Sequence, residues 1–286
     1  MSEDMMGYEV RKIPTGVADF DAIIDGGLPD GSVVLLLGDV GAGHQEFVYT
    51  SAFKIAMVKE HPETGDYFLG SLCDFSNLPD NICYVTFSRT KDDILREIAT
   101  SFNSEFYGPL SRKIKFKDFS SSYFKKSIVP TTWTEPEGKK GLFSGTPKEN
   151  VLESLVNFLD DNARNSLVII DSLTDLVVSN LVEFRELVNV LKGIQRACKE
   201  WKGIVYLLLA KDILDKRDEL MIIDSVDGVF TFEWSKYYRS TKRQRYMFIE
   251  KFMSLLPHLE DERTARFPTQ VSSGSGLRVI NMDVIA

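Results

Sequence analysis

The residues with the most chemical meaning in this chain are GDVGAGHQ, Gly38 to Gln45. They follow the apolar run Val33 to Leu37 and precede an amphipathic run beginning near Glu46. Strand, glycine-rich turn and helix is the setting of a phosphate-binding loop. The frame G-x-x-x-x-G-K-[ST] keeps Gly38 and Gly43, with Asp39, Val40, Gly41 and Ala42 between them. His44 stands where that frame has Lys, and Gln45 where it has Ser or Thr. The residues Gly38 to Gln45, with Asp171 at the end of a later apolar run, form the candidate nucleotide site.

Each replacement removes a definite piece of chemistry. Loop N–H groups and the helix N-terminus can still face an anion. A loop Lys supplies a permanent charge at the β- and γ-phosphates. His44 is shorter and mostly neutral at pH 7 unless its pKa is raised. Losing one hydrogen bond to a charged group costs roughly 1.5–3 kcal/mol, about one to two decades in affinity. Gln45 offers an amide oxygen instead of a hydroxyl and is longer, so Mg²⁺ in near-ideal octahedral geometry is hard to keep. Two readings stay open: a weak ATP or ADP site, or glycines that only make a tight turn. No metal site and no catalytic residue is assigned.

The remaining composition narrows the function classes. The chain has 286 residues, 43% hydrophobic and 27% charged, ordinary for a globular protein. A formal net charge of −8 gives no global drive toward nucleic acid or anionic membrane. Cys73, Cys83 and Cys198 have no metal or CxxC spacing, which suits a reducing cytoplasm. His44, His61 and His258 make no ligand cluster. MSEDMMGYEV lacks the apolar centre of a signal peptide, and runs such as Val205 to Ala210 are too short to cross a membrane.

The elements that must hold the loop read as strands alternating with helices. Phe20, Ile23 and Ile24 fall at helical spacing before Gly26-Gly27. Val33–Leu37, Ile82–Phe87, Leu167–Ile170 ending at Asp171, and Gly203–Ala210 are apolar runs expected of buried parallel strands. Phe47, Val48, Ala52, Ile55 and Ala56 share one helical face, as do Val151, Leu152, Leu155, Val156 and Leu159. Residues 184–198 form another helix, and Asp92 to Phe102 a further one begun by acids. Lys113 to Phe119 alternates weakly. Residues 60–81 read as a surface connection, 120–150 as a long, partly mobile excursion with Tyr123, Phe124, Trp133 and Phe143, and 258–276 as a polar loop. Val229–Trp234, Arg245–Phe252 and Leu277–Val284 read as strands with no helix between them, and 236–286 as an antiparallel C-terminal extension. The expectation is one α/β domain, residues 1–286, with a mainly parallel central sheet flanked by helices and antiparallel strands at the C-terminal edge.

These motifs together resemble the KaiC-like branch of the RecA-like P-loop ATPases. TGVADFDAIIDGGLPDGSVVLLLGDVGAG is similar to that family's opening segment, where a short helix and a Gly-Gly-x-Pro-x-Gly turn lead into the P-loop strand. LVIIDS resembles its Walker B strand, and IIDSVDGVFTF its late strand with D-G-V. The resemblance runs from about residue 12 to about 252. It implies a RecA-like P-loop NTPase fold and an assembly with nucleotide between subunits: a homo-oligomer, or a hetero-complex with a paralogous RecA-like ATPase.

The departures bear on activity. The family's paired glutamates after the second strand correspond to Ser88 and Arg89, and neither can act as a carboxylate base. Asp92 and Asp93 belong to the next helix start, where acids favour the dipole. The family's K-x-R-G finger corresponds to Lys251-Phe252-Met253-Ser254, which keeps the Lys and lacks the Arg. Asp171 either polarises a water or metal shell or caps the strand end or next helix. The resemblance thus implies an inactivated member with a degenerate Walker A loop, regulatory or signal-transducing through assembly or partners. A slow ATPase using His44 as a cation is the enzymatic alternative. A third reading is a DNA-repair accessory binding nucleic acid through Lys236–Lys251, where Lys236, Arg239, Lys242, Arg243, Arg245 and Lys251 interleave with tyrosines; a hairpin tip or a subunit contact gives the same pattern.

Overall fold

Apolar runs without polar alternation form the centre of the sheet, because a strand covered on both faces has no solvent side. The computed structural model describes residues 10–125, 127–134, 150–179, 181–236, 243–256 and 266–280. Its strands are β1 (Lys12–Ile13), β2 (Leu28–Pro29), β3 (Ser32–Gly38), β4 (Asn81–Thr86), β5 (Ile114–Asp118), β6 (Ser166–Asp171), β7 (Ile204–Ala210), β8 (Gly228–Lys236), β9 (Arg243–Phe252), β10 (Phe267–Ser272) and β11 (Gly276–Val279). β1 and β2 pair with each other, and the other nine form one sheet in the order β11-β10-β9-β8-β3-β7-β6-β4-β5. From β8 to β5 every pairing is parallel, whereas β8–β9, β9–β10 and β10–β11 are antiparallel. The expected architecture is therefore present.

Register brings the chemistry to one rim. Gly38 lies opposite both Ala210 and Phe232, and Thr86 opposite Asp171. The carboxyl ends of β3, β4, β6 and β7 thus finish together, where open α/β sheets place their ligand sites. Alternation splits the β3 side chains between two cores. Val34 and Leu36 join Phe20, Phe47, Tyr206, Phe230 and Phe232 on one face, and Val33, Leu35 and Leu37 join Leu155, Leu191, Ile194 and Ile222 on the other.

The helix His44–Glu60 is buried on more than its expected face. Tyr49, Thr50, Ser51, Phe53 and Val58 are covered as well as the residues at helical spacing. β11 reaches across it, with Leu277 N donating to Thr50 Oγ1 at 2.8 Å, and Phe53 stacks on Phe106 at 3.7 Å.

Several sequence expectations need correction. The stretch 258–276 is not all loop: β10 lies in it, with Phe267, Pro268 and Thr269 buried, while residues 257–265 lie outside the described residues. The polar composition hid a strand sandwiched between β9 and β11, where Pro268 still gives its carbonyl to Ile280 N. Ser104–Lys113 is a helix despite Gly108 and Pro109, held by buried Phe106 and Leu110. Lys216–Asp224 is a further helix that the sequence reading did not assign. Val156, assigned to a buried face, is 44% exposed. The 120–150 excursion contains the short helices Ser120–Phe124 and Thr131–Thr134, with Trp133 exposed; Phe143 and the rest of 135–149 lie outside the described residues. Likewise, strand β11 is described only to Val279.

The helix Lys91–Ser101 starts where acids were expected to start it. Thr90 Oγ1 accepts from Asp93 N at 3.1 Å, and Asp93 accepts from Thr90 N at 3.0 Å, a reciprocal capping box. Thr90→Ala is expected to lower stability by about 1 kcal/mol in chemical denaturation. An unchanged denaturation midpoint would show that the cap is dispensable.

Candidate functional site

The loop after β3 is held by bonds from its neighbours. Asp39 N donates to Phe232 O at 2.9 Å, and Ala42 N donates to Asp39 O at 3.0 Å. From β8, Trp234 N donates to Asp39 Oδ2 at 3.1 Å and the indole Nε1 donates to Val40 O at 3.1 Å. From β9, Arg245 Nε donates to Gly41 O at 2.9 Å, with its guanidinium 4.5 Å from the Trp234 ring centre. Gly43 has φ 123°, open to glycine and strained for other residues, and Leu277 closes over it at 3.0 Å from where a Cβ would stand. The glycine frame is therefore kept as a folded loop, strapped from β8 and β9.

His44 does not project as a cation. Its imidazole lies back against Gly38, with Nδ1 2.2 Å from where a Gly38 Cβ would be. The ring centre is 6.2 Å from that of Phe232, and Nδ1 is buried without a hydrogen-bond partner. Burial lowers its pKa to about 4, against the opposing pull of Asp39, so the ring is neutral at pH 7. Only glycine at position 38 leaves room for it.

Gln45 turns toward the sheet. Its Nε2 donates to Asp171 Oδ2 at 3.1 Å and to Tyr84 Oη at 2.9 Å. Tyr84 Oη donates to the same Asp171 oxygen at 2.5 Å. The Gln45 amide thus presents its nitrogen, not its oxygen, to this carboxyl oxygen. Tyr84 lies on β4 two residues before Thr86, the register partner of Asp171, so Tyr84 and Asp171 share a sheet face under the helix that carries Gln45.

Arg89 completes the cluster. Its Nη1 is 3.8 Å from Asp171 Oδ2 and 3.4 Å from Tyr49 Oη, and Nη2 pairs with Glu97. Burial pushes the Asp171 carboxyl up, and the Tyr84 bond and the Arg89 charge pull it back only in part. Burial also holds the Tyr84 phenol well above its usual range, with the Asp171 charge adding to the effect. Asp171 does not cap the next helix: the Ser172 hydroxyl does, accepting from Asp175 N. Ser88 Oγ donates to Asp175 Oδ2 at 2.9 Å and is thus a structural hydroxyl.

The remaining motif residues also have internal partners. Lys251 Nζ donates to Ile223 O at 2.7 Å and Val226 O at 2.6 Å, so it caps the end of the helix Lys216–Asp224 instead of reaching outward. Asp227 of the D-G-V pattern accepts from Val33 N at 2.9 Å and pairs with Lys199 at 2.9 Å, stapling β8 to β3. In the basic segment, residues 237–242 lie outside the described residues.

No family model matches the chain, and no curated protein matches it. Among solved structures it is similar to a KaiC-like protein from the hyperthermophilic archaeon Pyrococcus horikoshii OT3. That likeness covers 95% of this chain and 100% of the other, with a TM-score of 0.62 and 20% identity. The fold is KaiC-like. At that identity the likeness carries the fold alone. The KaiC-like fold puts the loop and Asp171 side by side on one rim; what those positions do is decided by the side chains present.

The P-loop resemblance implies a divalent metal with the nucleotide, and the residues here do not fit one. Gln45 shows Asp171 a donor, where a metal needs an acceptor. Asp171 Oδ2 is surrounded by Gln45, Tyr84 and Arg89. Among the described residues there is no group of three or more His, Cys, Asp or Glu placed to hold a metal ion.

Sequence reasoning found Gln45 and Asp171 but not their connection. It missed Tyr84 because it sits inside an apolar run, and it missed Trp234 and Arg245 because nothing local ties them to residue 40. A tyrosine two positions before the carboxyl end of a buried strand was the available signal.

Proposed function

We propose that this chain is a non-catalytic KaiC/RecA-like module with a regulatory or signal-transducing role, exercised through assembly or partner binding. The observation that carries this reading is the engagement of Asp171 Oδ2 by Gln45 and Tyr84, with Arg89 beside it. Ser88 adds support, since it is tied to Asp175 and is no carboxylate base. Lys251 adds support too, since its ammonium is used inside the subunit. Any ATP or ADP is held weakly, by backbone alone, without the charge of a loop Lys. The working form is a homo-oligomer or a hetero-complex with a paralogous RecA-like ATPase.

The test is ATP turnover by the purified protein with Mg²⁺. No phosphate release above background is expected. Robust hydrolysis that disappears in Asp171→Ala would overturn the proposal. The alternative of a slow ATPase relying on a charged His44 is disfavoured by its neutral, buried ring. The nucleic-acid reading loses two of its cations, since Arg245 and Lys251 are spent on the loop and on helix carbonyls.

A further inference from the structure

We propose that Arg89 is a tethered cation standing in for a divalent metal at Asp171, so that the charge a metal would supply at Oδ2 comes from the chain itself. The inference rests on the non-catalytic reading and adds a mechanism to it. A buried carboxylate needs a compensating charge. In a Mg²⁺ site that charge is the ion, with oxygen ligands around it. Here the positive charge is the Arg89 guanidinium, 3.8 Å from Asp171 Oδ2 and half-buried. The remaining contacts are donors: Gln45 Nε2 at 3.1 Å and Tyr84 Oη at 2.5 Å on the same oxygen.

Three features hold this arrangement in place. Arg89 is anchored at its other end by Glu97 and approaches Tyr49 Oη, so it is held on both sides. The capping box at Thr90 fixes the start of the helix that carries Glu97 directly after Arg89. Gln45 belongs to the first turn of the loop helix, so closing Asp171 also ties that helix to β4 and β6. Position 45 thereby gives the strand–loop–helix unit an internal link that needs no ion. The conformation of this rim is then indifferent to Mg²⁺, and any partner surface built on it is constitutive.

The test uses Mn²⁺ as the probe, detected by electron paramagnetic resonance on the full chain. Each background is compared with its Asp171→Asn counterpart, so that only binding at Asp171 is counted. The wild-type chain is expected to bind no Mn²⁺ at Asp171 at millimolar concentration. Gln45→Ser combined with Arg89→Met removes the cation and the amide donor, leaving Tyr84, and is expected to gain Mn²⁺ binding that Asp171→Asn abolishes. Gln45→Ser combined with Arg89→Lys keeps a cation and is expected to stay metal-free. Mn²⁺ bound by the wild type and lost in Asp171→Asn would overturn the proposal, whether or not the protein hydrolyses ATP. A folded Gln45→Ser, Arg89→Met variant without Mn²⁺ at Asp171 would overturn it as well. If that variant does not fold, the wild-type comparison with Asp171→Asn still decides.

Discussion

Asp171→Ala lowers the stability of this chain by about 2 kcal/mol, read by equilibrium urea denaturation. The carboxylate is buried and is the common acceptor for Gln45 and Tyr84, with Arg89 beside it. Removing it leaves the fully buried Tyr84 hydroxyl without its acceptor and takes one of two anions from Arg89. Leaving a buried hydroxyl without its acceptor costs about 1–3 kcal/mol, whereas Arg89, partly exposed and still paired with Glu97, adds little to the loss. Tyr84→Phe removes one donor and not the charge, so its effect is smaller, about 1 kcal/mol. The double variant should lose less than the sum of the two, since both act on one hydrogen bond. A loss of stability near zero for Asp171→Ala would mean that the cluster contributes nothing to the fold.

His44 makes the chain acid-sensitive. Its pKa is about 6.5 when unfolded and is lowered to about 4 in the folded chain, chiefly by burial. Between those values the unfolded chain binds a proton that the folded chain refuses. Stability is therefore complete above pH 6.5 and falls as pH drops toward 4. Over that window the loss is about 3 kcal/mol, at about 1.4 kcal/mol per unit of pKa difference. His44→Gln removes the titration, so its stability relative to wild type should improve by that amount between pH 6.5 and 4. Parallel pH profiles for the two proteins would show that the ring is solvated or paired in solution. The same experiment reports on the loop, because a ring that stays neutral supplies no charge for phosphate.

These two expectations share a cause. A phosphate-binding loop is normally kept in shape for a charged ligand, with the energy of its buried charges returned on binding. In this chain the loop is held by groups of the chain itself. His44 fills space against Gly38, Gln45 bonds Asp171, Trp234 and Arg245 hold the loop carbonyls, and Arg89 supplies the charge.

The parallel centre of the sheet was legible in the residue pattern alone. Runs such as Val33–Leu37 and Leu167–Ile170 have no polar alternation, and only a strand covered on both faces tolerates that. The sequence also determined the loop frame, because glycines at 38 and 43 between a strand and a helix allow the positive φ and the close approach such a turn needs. It located Gln45 and Asp171 as chemically special. It did not reveal β10, whose polar composition follows from its place between two strands near the edge of the sheet, nor the helix Ser104–Lys113, where burial of Phe106 and Leu110 overrides Gly108 and Pro109. What the special residues face became visible in the folded chain. Tyr84 and Asp171 are 87 positions apart, and Trp234 and Val40 are 194 apart. Their meeting depends on strand order and register, which are long-range properties fixed by the packing of the whole sheet. A local motif states which groups are available, and the three-dimensional fold decides whether they meet a ligand or each other.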